Sequence, residues 1–303
     1  MSARGIFTRP ARLAAIVPYG WMVLFFLAPF GFVLKLSLSQ TTIAQPPYLP
    51  VFDLGAGWDT LVAALAMLSL DNFRLLASDD LYLLAGLRSL TVAATATALL
   101  LLFGYPVAYA MSRLPRRWQP LAMMLVIVPF WTSFLIRVYA WINILQHDGL
   151  LNQVLLALHV VSEPVVWLST DTAMYIGMVY SYLPFMILPL YATLTKLDPA
   201  LLEAAADLGS SPWQSFWRVT LPLSLPGVGA GVLLCFIPLV GEFVIPDLLA
   251  GSDALMVGQT LWLEFFTNRD WPVAAATAVL LLAILLLPLL LYDRFQRRQM
   301  VRP

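Results

Sequence analysis

The sequence predicts an all-α membrane protein with six transmembrane helices and both termini on the cytoplasmic side. Three observations carry that expectation. Of 303 residues, 61% are apolar and 11% charged, and the mean hydropathy is +0.83; soluble domains carry about 25% charged residues, needed to cover their surface. Six stretches are mostly apolar over about 20 residues, the length that crosses a hydrocarbon core about 30 Å thick. Lys and Arg also alternate in density between successive connections. Arg4, Arg9, Arg12, Arg113, Arg116, Arg117, Lys196, Arg218, Arg294, Arg297, Arg298 and Arg302 fall on one side, and only Arg74 and Arg269 on the other. The basic side is the cytoplasmic one.

The first span, 13–36, follows three arginines. It exceeds the core of about 7–15 residues in a cleavable signal, so it reads as an uncleaved anchor. An external segment, 39–86, comes next. Pro46, Pro47 and Pro50 predict an irregular start, and Asp53, Asp59, Asp71, Asp79 and Asp80 make it acidic. The apolar run 61–70 inside it is too short to cross and predicts a packed or interfacial helix. This segment is either a cap over the spans or a docking surface. The remaining spans are 90–111, 120–145, 173–194, 227–249 and 273–292, and residues 1–303 read as one transmembrane domain.

Several chemistries are missing. Lys35 and Lys196 are the only lysines, and neither follows glycine, so no Gly-Lys-Ser/Thr phosphate loop is encoded. His147 and His159 belong to no HExxH pattern, and no Gly-x-Ser-x-Gly turn occurs. Cys235 is the single cysteine, a packing residue rather than a disulfide partner or metal ligand. With 17 basic and 17 acidic residues, the net charge gives no sign of a nucleic-acid partner. No enzyme activity and no cofactor are expected in this chain.

The cytoplasmic loop 195–224 is the most structured-looking connection. Asp198 is a good N-cap with Pro199 behind it, and Gly209 suits the left-handed residue that ends a helix. Ser211 and Pro212 repeat the start signal. Leu201, Ala204, Ala205 and Leu208 then form one stripe at helical spacing, which either packs on the spans or meets a partner, with Glu203 as a charged contact.

The residues of this loop resemble a known motif. Glu203-Ala204-Ala205, three residues, Gly209, nine residues, Val219, one residue, Leu221-Pro222 is similar to the EAA loop of ABC-importer permeases, EAA-x3-G-x9-I-x-L-P, with Val in place of Ile. The runs Ser69–Phe73, Trp131–Trp141, Gly241–Pro246 and Asn268–Pro272 resemble the spermidine/putrescine subfamily, nearest its putrescine systems. The resemblance implies a type I ABC importer permease fold in the bacterial inner membrane. Glu203, Ala204, Ala205, Asp207, Gly209, Leu221 and Pro222 would couple it to two ATPase subunits that bind ATP and Mg2+. It also implies a second, different permease chain and a periplasmic polyamine-binding protein as partners, within membrane lipid.

For a substrate path, Arg137 and Glu242 are ionisable groups inside spans, where charge is costly and calls for a partner or a role. Counted from the cytoplasmic starts of their spans, at 1.5 Å per residue, they share a depth in the outer half. They either pair with each other, or Glu242 meets a substrate ammonium. Phe243, Trp131, Tyr139 and Tyr180 could offer aromatic faces to that cation, or serve as lipid anchors and packing. Pro184, Pro189, Pro238 and Pro246 predict kinks in the fourth and fifth spans. The external loops carry more carboxylates than basic residues, which favours a cationic solute. A permease for another solute (thiamine, iron, sulfate), or a membrane enzyme or receptor without transport, remains the alternative.

Overall fold

The structure, a computed structural model, describes residues 9–52, 57–251 and 254–300. Arg4, Asp53 and Arg302 of the charge pattern lie outside the described residues, as do the side chains of Arg9, Arg12, Arg297 and Arg298. The chain is helical, and its backbone divides into two compact units: Met1–Leu83 with Thr260–Ala283, and Leu84–Gln259 with Ile284–Pro303.

In the first unit, α1 (Arg9–Met22) continues through a π-helical turn, Val23–Leu27, into α2 (Ala28–Ser37). A two-stranded antiparallel hairpin follows, β1 (Gln40–Thr41) and β2 (Tyr48–Leu49), pairing Gln40 with Leu49 and Thr41 with Tyr48. Then come α3 (Trp58–Ala66) and α4 (Asp71–Ser78). The Asn72 amide donates to the carbonyls of Ser37 at 2.9 Å and Ser39 at 2.8 Å, so α4 is tied to the end of α2. Lys35 donates to the Pro50 carbonyl, and its ammonium sits 4.1 Å above the Tyr48 ring. Asp270 accepts from the Val273 amide at 3.1 Å, capping the last helix, and from the Thr41 hydroxyl at 2.6 Å.

By length and composition, Trp58–Ser78 also qualifies as a crossing. It is two helices of 9 and 8 residues, separated where the Ser69 amide bonds the Leu38 carbonyl at 2.9 Å. Nine residues rise only about 14 Å, so neither helix crosses alone.

The second unit is built on α5 (Asp80–Arg113) from Leu84 onward, α9 (Asp171–Leu194) and α12 (Leu221–Val240). α9 and α12 pack closely because glycines lie between them. A Cβ on Gly227 would stand 2.8 Å from Thr193 Cβ and 3.0 Å from the Pro189 carbonyl oxygen, and one on Gly231 would stand 2.7 Å from Met186 Sδ. Without a hydrophobic drive between helices in lipid, such close approach supplies the association. We expect Gly227→Ala to lower the unfolding midpoint in detergent, at a cost of about 1–3 kcal/mol typical of overpacking. Gly31→Ala in α2, where nothing lies within 4 Å, should leave the midpoint unchanged.

Two expected spans differ from straight rods. The third, 120–145, is α6 (Gln119–Ile127) with a 3₁₀ turn (Val128–Trp131), then α7 (Phe134–Leu145); the stretches Gln119–Trp131 and Phe134–Ala157 meet at 89°. Pro129 in the turn cannot donate to an α-helical ladder, and Thr132 takes an extended ψ of 151°. The fifth, 227–249, ends its helix at Val240; Gly241–Phe243 break it before α13 (Val244–Leu249). Its helix also begins earlier, since Pro212–Val240 is helical throughout. The connection after α7 holds α8 (Leu150–Ala157). Asn152 organises it, donating to the His147 and Val165 carbonyls and accepting from the Val165 amide and the Trp167 indole. α14 (Val257–Trp262) and a π turn precede α15 (Trp271–Met300).

Candidate functional site

The elbow between α9 and α12 has the helix–turn–helix form that its caps predict. Asp198 Oδ1 accepts from the Ala200 amide at 3.0 Å, and Pro199 opens α10 (Pro199–Asp207). Gly209 ends it at φ +81°, a conformation that only glycine adopts without strain. The Gly209 and Ser210 amides return to the carbonyls of Ala206 at 2.8 Å and Ala205 at 3.0 Å. Ser211 and Gln214 form a reciprocal capping box at the start of α11 (Pro212–Ser215). From there a π-helical turn, Phe216–Thr220, leads directly into α12.

This elbow turns its apolar stripe outward. α10 buries no residue. Leu201 is 46% exposed, Leu208 87% and Trp213 69%; Ala204 is exposed and Ala205 half-buried. Of the two readings of the stripe, packing on the chain's own spans is therefore the one the structure does not support. Glu203, Asp207, Gly209 and Pro222 are exposed and Leu221 half-buried, so the motif's polar and small residues share the surface with Leu208. The elbow rests on the bundle through Phe216, whose ring meets Tyr105 edge-on at 5.6 Å and Tyr109 at 6.1 Å. Tyr105 in turn bonds the Ser224 hydroxyl at 2.8 Å.

Glu242 lies at the break after α12 and is 8% exposed. Its Oε1 accepts from the Val244 amide at 3.0 Å and the Ile245 amide at 3.3 Å, so it caps α13; its Oε2 accepts from the Tyr182 hydroxyl on α9. Each carboxylate oxygen has two lone pairs. Among the described residues, Oε1 accepts from two amides and Oε2 from one hydroxyl, leaving it one acceptor direction. Beside Tyr182 lies Phe185 at 6.1 Å, which meets Phe130 edge-on at 5.2 Å. Arg137, 9% exposed, stacks over that same Phe130 at 4.5 Å.

Of the two readings of Arg137 and Glu242, the mutual ion pair is not the one seen: the guanidinium has no carboxylate within salt-bridge distance among the described residues. The third span is not straight, and its 89° bend means that residue count along it does not give the depth of Arg137. Rings connect the two charges instead. Of the expected aromatic faces, Phe243 adjoins Glu242 in sequence and is half-buried. Trp131 and Tyr139 are 79% and 54% exposed and point away from the interior. Tyr180 packs edge-on against Trp141 at 5.3 Å. The rings that link Glu242 to Arg137 are Tyr182 against Glu242, Phe185 next to Tyr182, and Phe130 against both Phe185 and Arg137; Phe134 also flanks Arg137 at 5.8 Å. Tyr182 and Phe185 share a face at i and i+3 on the fourth span, which was the one sequence signal for them. Phe130 carries no such signal, because its place depends on the bend.

Comparison with known proteins places these features in context. Residues 100–301 match the family model described as "Binding-protein-dependent transport system inner membrane component". The chain is 45% identical over 230 residues to the spermidine/putrescine transport system permease protein PotB of Escherichia coli K12, covering 76% of this chain and 83% of that one. The protein of the same name from Haemophilus influenzae is 36% identical over 283 residues, covering 93% of both. Among solved structures, the bacterial alginate ABC transporter in complex with its pentasaccharide-bound periplasmic protein superposes with a TM-score of 0.69. That match covers 95% of this chain and 94% of the other at 17% identity, a likeness of fold.

Proposed function

We propose, from the premise that this chain belongs to the binding-protein-dependent transport system inner membrane component family, that it forms half of the pathway of a polyamine importer. It is a multi-pass inner-membrane permease subunit and not an enzyme; in such importers ATP is hydrolysed by separate subunits. We assign ATP and Mg2+ to two ATPase partners, the other half of the pathway to a different permease chain, and delivery of the amine to a periplasmic polyamine-binding protein. Both termini face the cytoplasm in this reading, on the strength of the basic residues flanking the spans.

The observation that carries the substrate is the 45% identity to a spermidine/putrescine permease across three quarters of the chain. The site chemistry supports it. A protonated amine has N–H donors and no lone pair, so it needs acceptors and aromatic faces. Glu242 keeps one acceptor direction on Oε2 among the described residues; Tyr182 bonds it and Phe185 packs next to Tyr182. A cation over such rings gains about 0.5–2 kcal/mol.

The mechanism follows from the two ends of Pro212–Val240. ATP binding would draw the ATPase subunits together around the elbow, where Glu203, Ala204, Ala205, Asp207, Gly209, Leu221 and Pro222 would make the contact. Motion of the elbow moves α12, and α12 ends at Gly241 beside Glu242. Closing the cytoplasmic side would open the path outward, and hydrolysis would reverse it.

Reconstitution of the whole transporter in proteoliposomes tests this reading. Putrescine- or spermidine-loaded receptor is expected to stimulate ATP hydrolysis several-fold over unloaded receptor. Stimulation by a thiamine, iron or sulfate receptor in its place, with none by polyamine, would reassign the substrate while keeping the permease role.

A further inference from the structure

We infer that the bend in the third span is a binding site for a small monoanion, a halide or a carboxylate, held between the Arg137 guanidinium and the N-terminus of α7. Arg137 is 9% exposed, yet its buried Nε and Nη1 meet no hydrogen-bond acceptor among the described residues. A guanidinium carries five N–H donors and no acceptor, so it needs acceptors around it. Glu242, the nearest natural partner by sequence expectation, is engaged by Tyr182 and two amides. Phe130 at 4.5 Å and Phe134 at 5.8 Å flank the guanidinium from either side of the bend, which places the cation at the break itself. Rings satisfy part of its charge but accept no in-plane N–H bond.

The helix end is an independent contributor. α7 has 12 residues, and its capping residue Ser133 makes no side-chain bond to it. The Arg137 amide is the first to bond backwards, to the Ser133 carbonyl at 3.2 Å; the amides of Phe134, Leu135 and Ile136 meet no acceptor among the described residues. Unbonded amides and the helix dipole favour negative charge at this end. An ammonium offers neither amides nor guanidinium an acceptor, so the ligand is not the amine of the transport reading, and the inference stands whichever solute is carried. One anion bridging Arg137 and the α7 N-terminus would fix the angle of the bend.

Two sources have this chemistry: a free ion, or a carboxylate side chain of the paired permease. Binding of 36Cl− is measured on the full-length chain in nanodiscs and on the assembled transporter, with acetate as competitor. The single chain is expected to bind chloride saturably and to lose at least tenfold in affinity in Arg137→Gln. Arg137→Lys, which keeps the charge but not the fork, should fall between them and guards against a folding defect in the glutamine variant. Binding retained on assembly identifies a free ion, and binding lost on assembly identifies a carboxylate of the paired permease. No saturable chloride binding in either preparation, or equal binding by wild type, Arg137→Lys and Arg137→Gln, overturns the inference.

Discussion

Glu203→Lys is expected to reduce polyamine uptake to background while the protein inserts normally. Glu203 is exposed on a helix that buries nothing, so reversing its charge breaks no internal contact. The loss therefore falls on a partner. A charged contact at the centre of a docked interface costs about 2 kcal/mol or more when removed, about 30-fold in affinity, and a reversed charge adds repulsion. Copurification of the ATPase from solubilised membranes measures that loss directly, alongside uptake. Leu208→Asp is expected to behave alike, because that side chain is 87% exposed and contributes little to the fold of the single chain. Normal uptake in both variants would remove the elbow from the coupling role.

Glu242 separates into two effects that different substitutions isolate. Glu242→Ala strands the Tyr182 hydroxyl and the Val244 and Ile245 amides in a buried site. Each unsatisfied group costs about 1–3 kcal/mol, so this variant is expected to lose stability and expression. Glu242→Gln keeps an oxygen for the two amides and an NH2 that can donate to the Tyr182 hydroxyl oxygen, while removing the charge. It is expected to fold and to raise the KM for uptake about 10–100-fold, the worth of a charge-assisted bond of about 1.5–3 kcal/mol. Tyr182→Phe is the control: it removes one donor from Glu242 and leaves the carboxylate. Uptake by Glu242→Gln that matches Tyr182→Phe and wild type would leave Glu242 as the cap of α13 and nothing more.

The parts of this molecule that were legible in its sequence are those determined by neighbours along the chain. Asp198, Pro199, Gly209 and Ser211 act within a few residues of themselves, so the elbow could be drawn from its residues. The bend at Val128–Trp131 was not, because Val128, Phe130 and Trp131 keep the run apolar straight through it and hydropathy does not record direction. Pro129 was the available clue, yet Pro106 and Pro184 lie inside helices that continue past them. The surroundings of Glu242 were hidden for a related reason. Depth along a span says how far a charge lies from a surface, and nothing about which way it faces. Phe130, Phe185 and Tyr182 come together only once the third span has folded back on the fourth.

Pro212–Val240 is 29 residues of unbroken helix, a length of about 43 Å. One end carries Trp213 beside the capped turn, and the other stops at Gly241, next to the carboxylate. In the proposed coupling, such a piece would act as a connecting rod: a displacement imposed at the Trp213 end would reach Gly241 without crossing a loop. Stroke and gate would then be set by the same piece of backbone.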